Sequence, residues 1–323
     1  MKERPDERDG AGDPDRELVR AALGGSSGAL DALLRRHQGF LHGVMLRMLS
    51  SPQDAEDVTQ EVLVKIVTGL SSFRGESAFR TWAYRIAVNH VLNWRRGRVE
   101  DVVGGFDDLG RMIDESPDLE LAAEEVAEAD RRALVEETRV ACLSGMLLCL
   151  DRVQRLTFIL GEVLEVGDVL GGELLGITRQ NFRQRLGRAR QQLYTFMRGK
   201  CGLADPANAC RCARKTRAAI RAGFVDPRSL RFVASHVATV ERSAPARSRA
   251  LRRSVGAGYA HLFRDASPRD PPDLAAKLRA VLSDGRFRAA LDLDETRSGE
   301  ARGRRRRPHT LPEGRGSRSP RPR

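Results

Sequence analysis

Apolar residues recur at three-to-four spacing along most of this chain, while runs alternating apolar with polar residues are hard to find. A chain patterned in this way buries its apolar atoms by packing helix on helix. The repeat is plain at Leu30, Leu33, Leu34, His37, Leu41, Val44, Met45 and Met48, which predicts one buried helical stripe. Ser50-Ser51-Pro52 predicts its stop, and Asp54 follows a Pro-led turn into another helix. At 323 residues the chain is long enough for two domains of ~100–200 residues with connecting segments. No apolar run approaches the ~18 residues of a membrane span; the longest candidate is Met146-Leu147-Leu148-Cys149-Leu150. The N-terminus, MKERPDERDG, has no hydrophobic stretch, so no secretory signal is expected. Five cysteines without such a signal argue against a disulfide framework, and the chain is expected to be soluble and cytoplasmic.

Charge draws the domain map. The net charge is +12 and the sequence pI about 10.3, which points to a polyanionic partner, with nucleic acid first. Residues 1–16 carry 4 basic and 6 acidic side chains with Pro and Gly, and are expected to be a disordered leader. Residues 17–98 form the first helical unit, and its last 25 residues hold six Arg against the single acid Glu76. Residues 99–138 reverse this, with 14 acids and 3 Arg, and read as a solvated linker running into an acidic helix near 118–138. A second helical unit spans 139–200, a cysteine loop 201–216, and a helical extension 217–295 with patterns at Leu274 to Leu282 and Phe287 to Leu293. Residues 296–323, with Arg304 to Arg307 and four Pro, are expected to be a disordered basic tail. The fold expected is therefore all-α: two small helical domains joined by an acidic linker, plus a helical C-terminal extension.

The second unit holds a helix-turn-helix. Asp168 to Leu175 predicts a short helix, Gly176-Ile177 a turn with glycine free to take positive φ, and Thr178 an N-cap for the next helix. Phe182, Leu186, Ala189 and Leu193 make its inward stripe. Arg179, Gln180, Asn181, Arg183 and Gln184 face outward with groups that can read major-groove base edges, and Arg185, Arg188 and Arg190 are placed to neutralise phosphates. An Arg-rich solvated helix in any bundle would look partly similar, but turn, cap and charge here fall in register.

In the first unit, Ala55, Val58, Val62 and Ile66 face inward, leaving Asp54, Asp57, Gln60 and Glu61 on the other side. The ordinary reading of such a face is a solvated one, and acids in a first turn suit the helix dipole without further function. Five of the chain's 16 aromatics then fall between 73 and 94, interleaved with arginines, as a surface for unpaired nucleic acid requires. Phe79, Trp82 and Ile86 read as core; the arginines, Asn89 and Trp94 read as surface.

These stretches resemble a known family. DAEDVTQEVLVKI and FRGESAFRTWAYRIAVNHVLNWRR resemble the second conserved region of bacterial extracytoplasmic-function (ECF) sigma factors, and LGITRQNFRQRLGRARQQL resembles their fourth. The resemblance covers about residues 17–98 and 139–198. It implies a non-catalytic subunit whose Asp54, Asp57, Gln60 and Glu61 dock on core RNA polymerase. It implies capture of the unpaired minus-ten strand by Arg74, Glu76, Ser77, Arg80, Arg85, Asn89, Trp94, Arg95 and Arg96, on a loop and a helix running from Arg80 to Arg98. The helix from Thr178 would read the minus-thirty-five element in promoter DNA, and the acidic linker would thread a basic channel of the polymerase. An anti-sigma factor as a further partner is left open. Two features depart from the family: the adjacent Gly171 and Gly172, which cost ~1–2 kcal/mol of helix propensity, and the hundred-odd residues after the second unit.

Cys201, Cys210 and Cys212 lie within twelve residues and supply three thiolates of the four that tetrahedral zinc takes, with His236 or His261 as candidates for the fourth. A redox-sensitive thiol cluster eased by Arg211 and Arg214, or a plain surface loop, are the alternatives. No cofactor is otherwise expected. Cys142 and Cys149, seven residues apart, read as core cysteines. No nucleotide-binding loop, nucleophile elbow or zinc-protease motif appears, so no catalytic residue is expected. Two rival readings stay open: a free-standing helix-turn-helix regulator, and a zinc or thiol sensor with secondary DNA binding.

Overall fold

A computed structural model describes residues 13–94, 104–121, 127–232, 259–265 and 272–282. The first helix, α1 (Arg16–Leu23), is followed by α2 (Ser27–Leu49), capped by the Ser26 hydroxyl accepting from the Ala29 N–H. Its end is the expected one: Ser50 takes a left-handed φ of 53° and Ser51 caps α3 (Pro52–Gly69), with proline at the first turn where no N–H is needed. A 3₁₀ turn (Leu70–Ser72) leads to α4 (Phe79–Asn93). This helix stops at Asn93, short of the expected Arg98; Trp94 is already extended, and residues 95–98 lie outside the described part.

The acidic stretch is more structured than its charge suggests. Helix α5 (Phe106–Glu115) lies within the expected linker, with Leu109 buried and Phe106 tilted against Phe196 at 5.1 Å. The expected acidic helix begins at Glu128 and continues as α6 to Leu148. Then come α7 (Arg152–Phe158), a π turn (Ile159–Val163), α8 (Asp168–Leu175), α9 (Arg179–Lys200) and α10 (Cys212–Arg221). Of the extension, α11 (Ala260–Asp265) and α12 (Leu274–Leu282) are described; the latter coincides with the helical pattern expected there, while Phe287 to Leu293 falls outside the described residues. The fold is all-helical: among the described residues there is no strand, only an isolated bridge pairing Cys201 with Cys210. None of the described helices is long and apolar enough to cross a membrane.

One apolar core runs through these helices. It joins Leu33, Leu41 and Met45 of α2, Val62 and Ile66 of α3, and Val88 of α4 to Met146 of α6, Leu156 of α7 and Phe182 of α9. At its centre, the buried Arg155 guanidinium donates to the carbonyls of Met48 (2.8 Å), Leu147 (3.0 Å), Leu148 and Leu150 (both 3.2 Å). One side chain thus satisfies carbonyls at the ends of α2 and α6 that helix geometry leaves unpaired. Arg152 does the same for α4, donating to Trp94 and Val91 carbonyls.

The last four residues of the expected leader belong to the folded part. Asp13 accepts from the Phe79 N–H (2.8 Å) at the start of α4, and buried Asp15 bonds His37 Nε2 (2.7 Å) and Arg36 (2.6 Å). Burial opposes charge on Asp15, but the bonds from His37 and Arg36 outweigh it and hold the carboxyl below its ordinary range. Glu137, expected within a solvated acidic run, is fully buried and accepts the N–H groups of Arg231 (2.7 Å) and Phe232 (3.0 Å).

Candidate nucleic-acid interface

The helix-turn-helix forms as its residues dictate. Gly176 takes φ 63°, a conformation costly for any side chain with a Cβ, and the Thr178 hydroxyl accepts the Asn181 N–H at 3.2 Å. Phe182, Leu186, Ala189 and Leu193 are buried. The double glycine of α8 has a steric reason: a Cβ on Gly171 would run into the Phe182 ring, and one on Gly172 would come within 2.8 Å of the Ile177 carbonyl. Gly161, which the sequence did not single out, plays the same part, since a Cβ there would lie 2.7 Å from Leu186. The three glycines let α8 and the π turn sit directly on α9.

On the far side of α9, Arg179, Gln180, Asn181, Arg183, Gln184 and Arg188 are all exposed, and Arg185 is half-exposed. Arg179 and Arg183 lean on Asp168 at 3.4 and 3.0 Å, which fans them across the first turn. Arg190 differs: it pairs with the buried Glu162, whose other oxygen accepts the Tyr194 hydroxyl at 2.9 Å. Its guanidinium is held by that carboxylate and is still 44% exposed.

Arg74, Glu76 and Ser77 stand exposed on the turn before α4, where Gly75 has φ 72°, and Arg85 and Asn89 are exposed along α4. Arg80 is half-buried. Phe79 is in the core and Trp82 is partly buried against Phe73 and Phe79, so these aromatics shape the turn. Trp94 rests tilted on His90, 5.7 Å between ring centroids. Arg95 and Arg96 lie outside the described residues.

On α3, Asp57 and Glu61 are exposed and Asp54 and Gln60 half-exposed, an acidic strip as read from the sequence. Glu61 bonds His90 of α4 at 3.0 Å; burial and nearby Lys65 depress the His90 pKa while Glu61 opposes them. Helix α4 packs directly on α8, so that Arg85 lines one cleft with Glu173, Arg179 and Asn181. The two candidate DNA-reading surfaces therefore adjoin.

Of the three loop cysteines, Cys201 is buried and bridged to Cys210, and Cys210 and Cys212 are half-buried. Of the expected fourth ligands, His236 lies outside the described residues and His261 is on α11, which packs on the π turn. Among the described residues no group of three His, Cys, Asp or Glu side chains stands at metal-holding spacing.

Residues 33–99 match the family Sigma-70 region 2. The chain also aligns with the RNA polymerase sigma factor CnrH of Cupriavidus metallidurans, 30% identical over 192 residues, which covers 57% of this chain and 95% of that protein. The chain belongs to the ECF family of RNA polymerase sigma factors. Shorter alignments agree: 40% identity over 79 residues to the RNA polymerase sigma-H factor of Pseudomonas aeruginosa, and 40% over 94 residues to the ECF RNA polymerase sigma-E factor of Haemophilus influenzae. They cover 24% and 28% of this chain, and the sigma factor spans 41% and 49% of those two relatives. The family is not enzymatic. Its members' second region corresponds here to α2–α4.

Proposed function

We propose that this sigma factor loads onto core RNA polymerase through the acidic strip of α3 and directs it to promoters. In this reading the turn at Arg74–Ser77 and the exposed row of α4 hold the unpaired minus-ten strand, and α9 reads the minus-thirty-five duplex. The observation that carries it is the sidedness of the two helices. Each buries its apolar face in the shared core and leaves a row of base-reading and phosphate-pairing groups outside. The work would be done in the cytoplasm, with polymerase and promoter DNA as partners. An anti-sigma factor would find part of the α2–α3 surface already covered by α12.

Engagement requires the two regions to part. The element names place them about 25 base pairs apart, or ~85 Å at 3.4 Å per base pair. Helix α9, 22 residues long, spans only about 33 Å. Surfaces that share one cleft cannot reach both elements at once, so loading onto polymerase would open the α4–α8 contact.

Run-off transcription with purified core enzyme tests the reading. The full chain is expected to give promoter-specific initiation, and Asp57→Lys or Glu61→Lys to abolish both loading and transcripts while leaving the far-ultraviolet spectrum unchanged, since both side chains are exposed. Promoter binding without initiation would favour a free-standing regulator instead.

A further inference from the structure

The two described helices of the C-terminal extension are seated on different halves of the sigma factor. Helix α11 sits on the helix-turn-helix half: it packs on the π turn, with Leu262 and Phe263 buried. Phe263 meets Phe158 edge to face at 5.4 Å between ring centroids, and Tyr259, just before the helix, meets Tyr194 of α9 at 5.2 Å. Arg264 donates to the Glu162 carbonyl (2.7 Å) and pairs with Glu165 (2.9 Å). Helix α12 sits on the region-2 half, along α2 and α3, with Leu274, Ala275 and Leu278 buried. There Gln38 of α2 accepts the Ala275 N–H at 3.1 Å, and Arg35 pairs with Asp273 at 2.5 Å.

The link between these seats is short. Eight residues separate Asp265 from Leu274, three of them proline. Fully extended, that stretch of chain reaches about 30 Å. It suffices in the closed molecule, where α4 rests on α8. Promoter elements ~85 Å apart ask far more of it. Phe232 and Phe263 add a second tie, closing a small cavity with Leu46 of α2 and with Val140 and Leu143 of α6. The buried Glu137 holds Phe232 there, accepting its N–H at 3.0 Å. Apolar burial of this kind persists in salt, which screens the exposed ion pairs around it.

We propose that residues 259–282 are a clasp. Helices α11 and α12, joined by a link too short to span an open sigma factor, keep the two DNA-reading surfaces folded together until one helix lets go. What opening serves rests on the sigma reading given above; what holds the molecule closed rests on the two seats alone. Core polymerase binds the parted regions, and so shifts the chain toward release of α11 or of α12. The clasp is a brake built into the chain, set against promoter engagement by the free protein.

Hydrogen exchange read by mass spectrometry tests this on the full chain, free and bound to core polymerase. In the free chain Phe263→Asp is expected to release α11 and to raise exchange in α4 and α8 together severalfold, with helix content retained. A released α11 with α4 and α8 still fully protected would overturn the clasp. Arg264→Ala gives the same comparison with the apolar seat intact, should Phe263→Asp disturb the π turn itself. On polymerase the unmutated chain is expected to lose protection in α11 or in α12. Lengthening the link by about 30 glycine and serine residues leaves both seats untouched. It is expected to keep both helices protected in the complex and to tighten loading severalfold. Both helices protected on polymerase without the longer link, or no gain in loading from it, would also overturn the proposal. A chain that does not load at all fails the sigma reading instead, and the free-chain comparison still decides the clasp.

Discussion

Asp15 and Arg155 show how far individual side chains set the energetics. Arg155 spans the carbonyl ends of two helices, and each carbonyl it satisfies would cost ~1–3 kcal/mol if left buried and unpaired. Asp15 ties the chain before α1 to His37 of α2, which in turn contacts the Tyr84 hydroxyl of α4 at 3.1 Å. Because its folded-state pKa is depressed, its contribution is fully present above the unfolded carboxyl value and is lost as pH falls through the folded one. Asp15→Asn is therefore expected to lower stability by ~1–3 kcal/mol at neutral pH. That deficit should shrink toward acid pH, where the protonated acid resembles the amide; denaturant unfolding at several pH values measures it, and a pH-independent deficit would refute the assignment. None of these roles was legible in the sequence. Asp15 sat in a stretch whose composition reads as disordered, and Arg155 and Glu137 are charges whose burial depends on backbone groups distant in sequence.

At the scale of elements, the helix-turn-helix was the most legible part, because cap, positive-φ glycine and apolar stripe are local and reinforce one another in Gly176, Thr178 and Phe182. Helix α5 was not: 14 acids over residues 99–138 outweigh the three apolar positions Phe106, Leu109 and Ile113 that hold it. Along α9 the structure separates residues that charge alone made equivalent. Arg183→Ala or Gln184→Ala should weaken minus-thirty-five binding by ~1–3 kcal/mol per lost base contact and leave random-sequence binding nearly unchanged. Arg188→Ala should weaken both alike and reduce the salt slope by about one. Arg190→Ala should instead lower folding stability, because it leaves the buried Glu162 without its cation. Equal effects of all four substitutions on specific and random DNA would contradict this division.

Across the whole described molecule, α12 is the element that bears most on use. It lies along α2 and α3, burying Leu274, Ala275 and Leu278, with Arg35 bonded to Asp273, Arg279 to Asp31, and Lys277 to Glu56 at 3.3 Å. Glu56 is the direct neighbour of Asp57 on the strip assigned to polymerase, so the extension borders that surface. The ion pairs are largely exposed and worth only ~0–1 kcal/mol each, whereas burying a leucine contributes ~1.5–3 kcal/mol. The apolar seam therefore decides whether α12 stays in place. Leu278→Asp is expected to release it and to tighten binding to core polymerase severalfold, while Arg279→Ala should change binding little. The same comparison separates shielding from assistance: weaker loading by Leu278→Asp would mean that α12 belongs to the docking surface, and unchanged loading that polymerase approaches α3 from the side α12 leaves open.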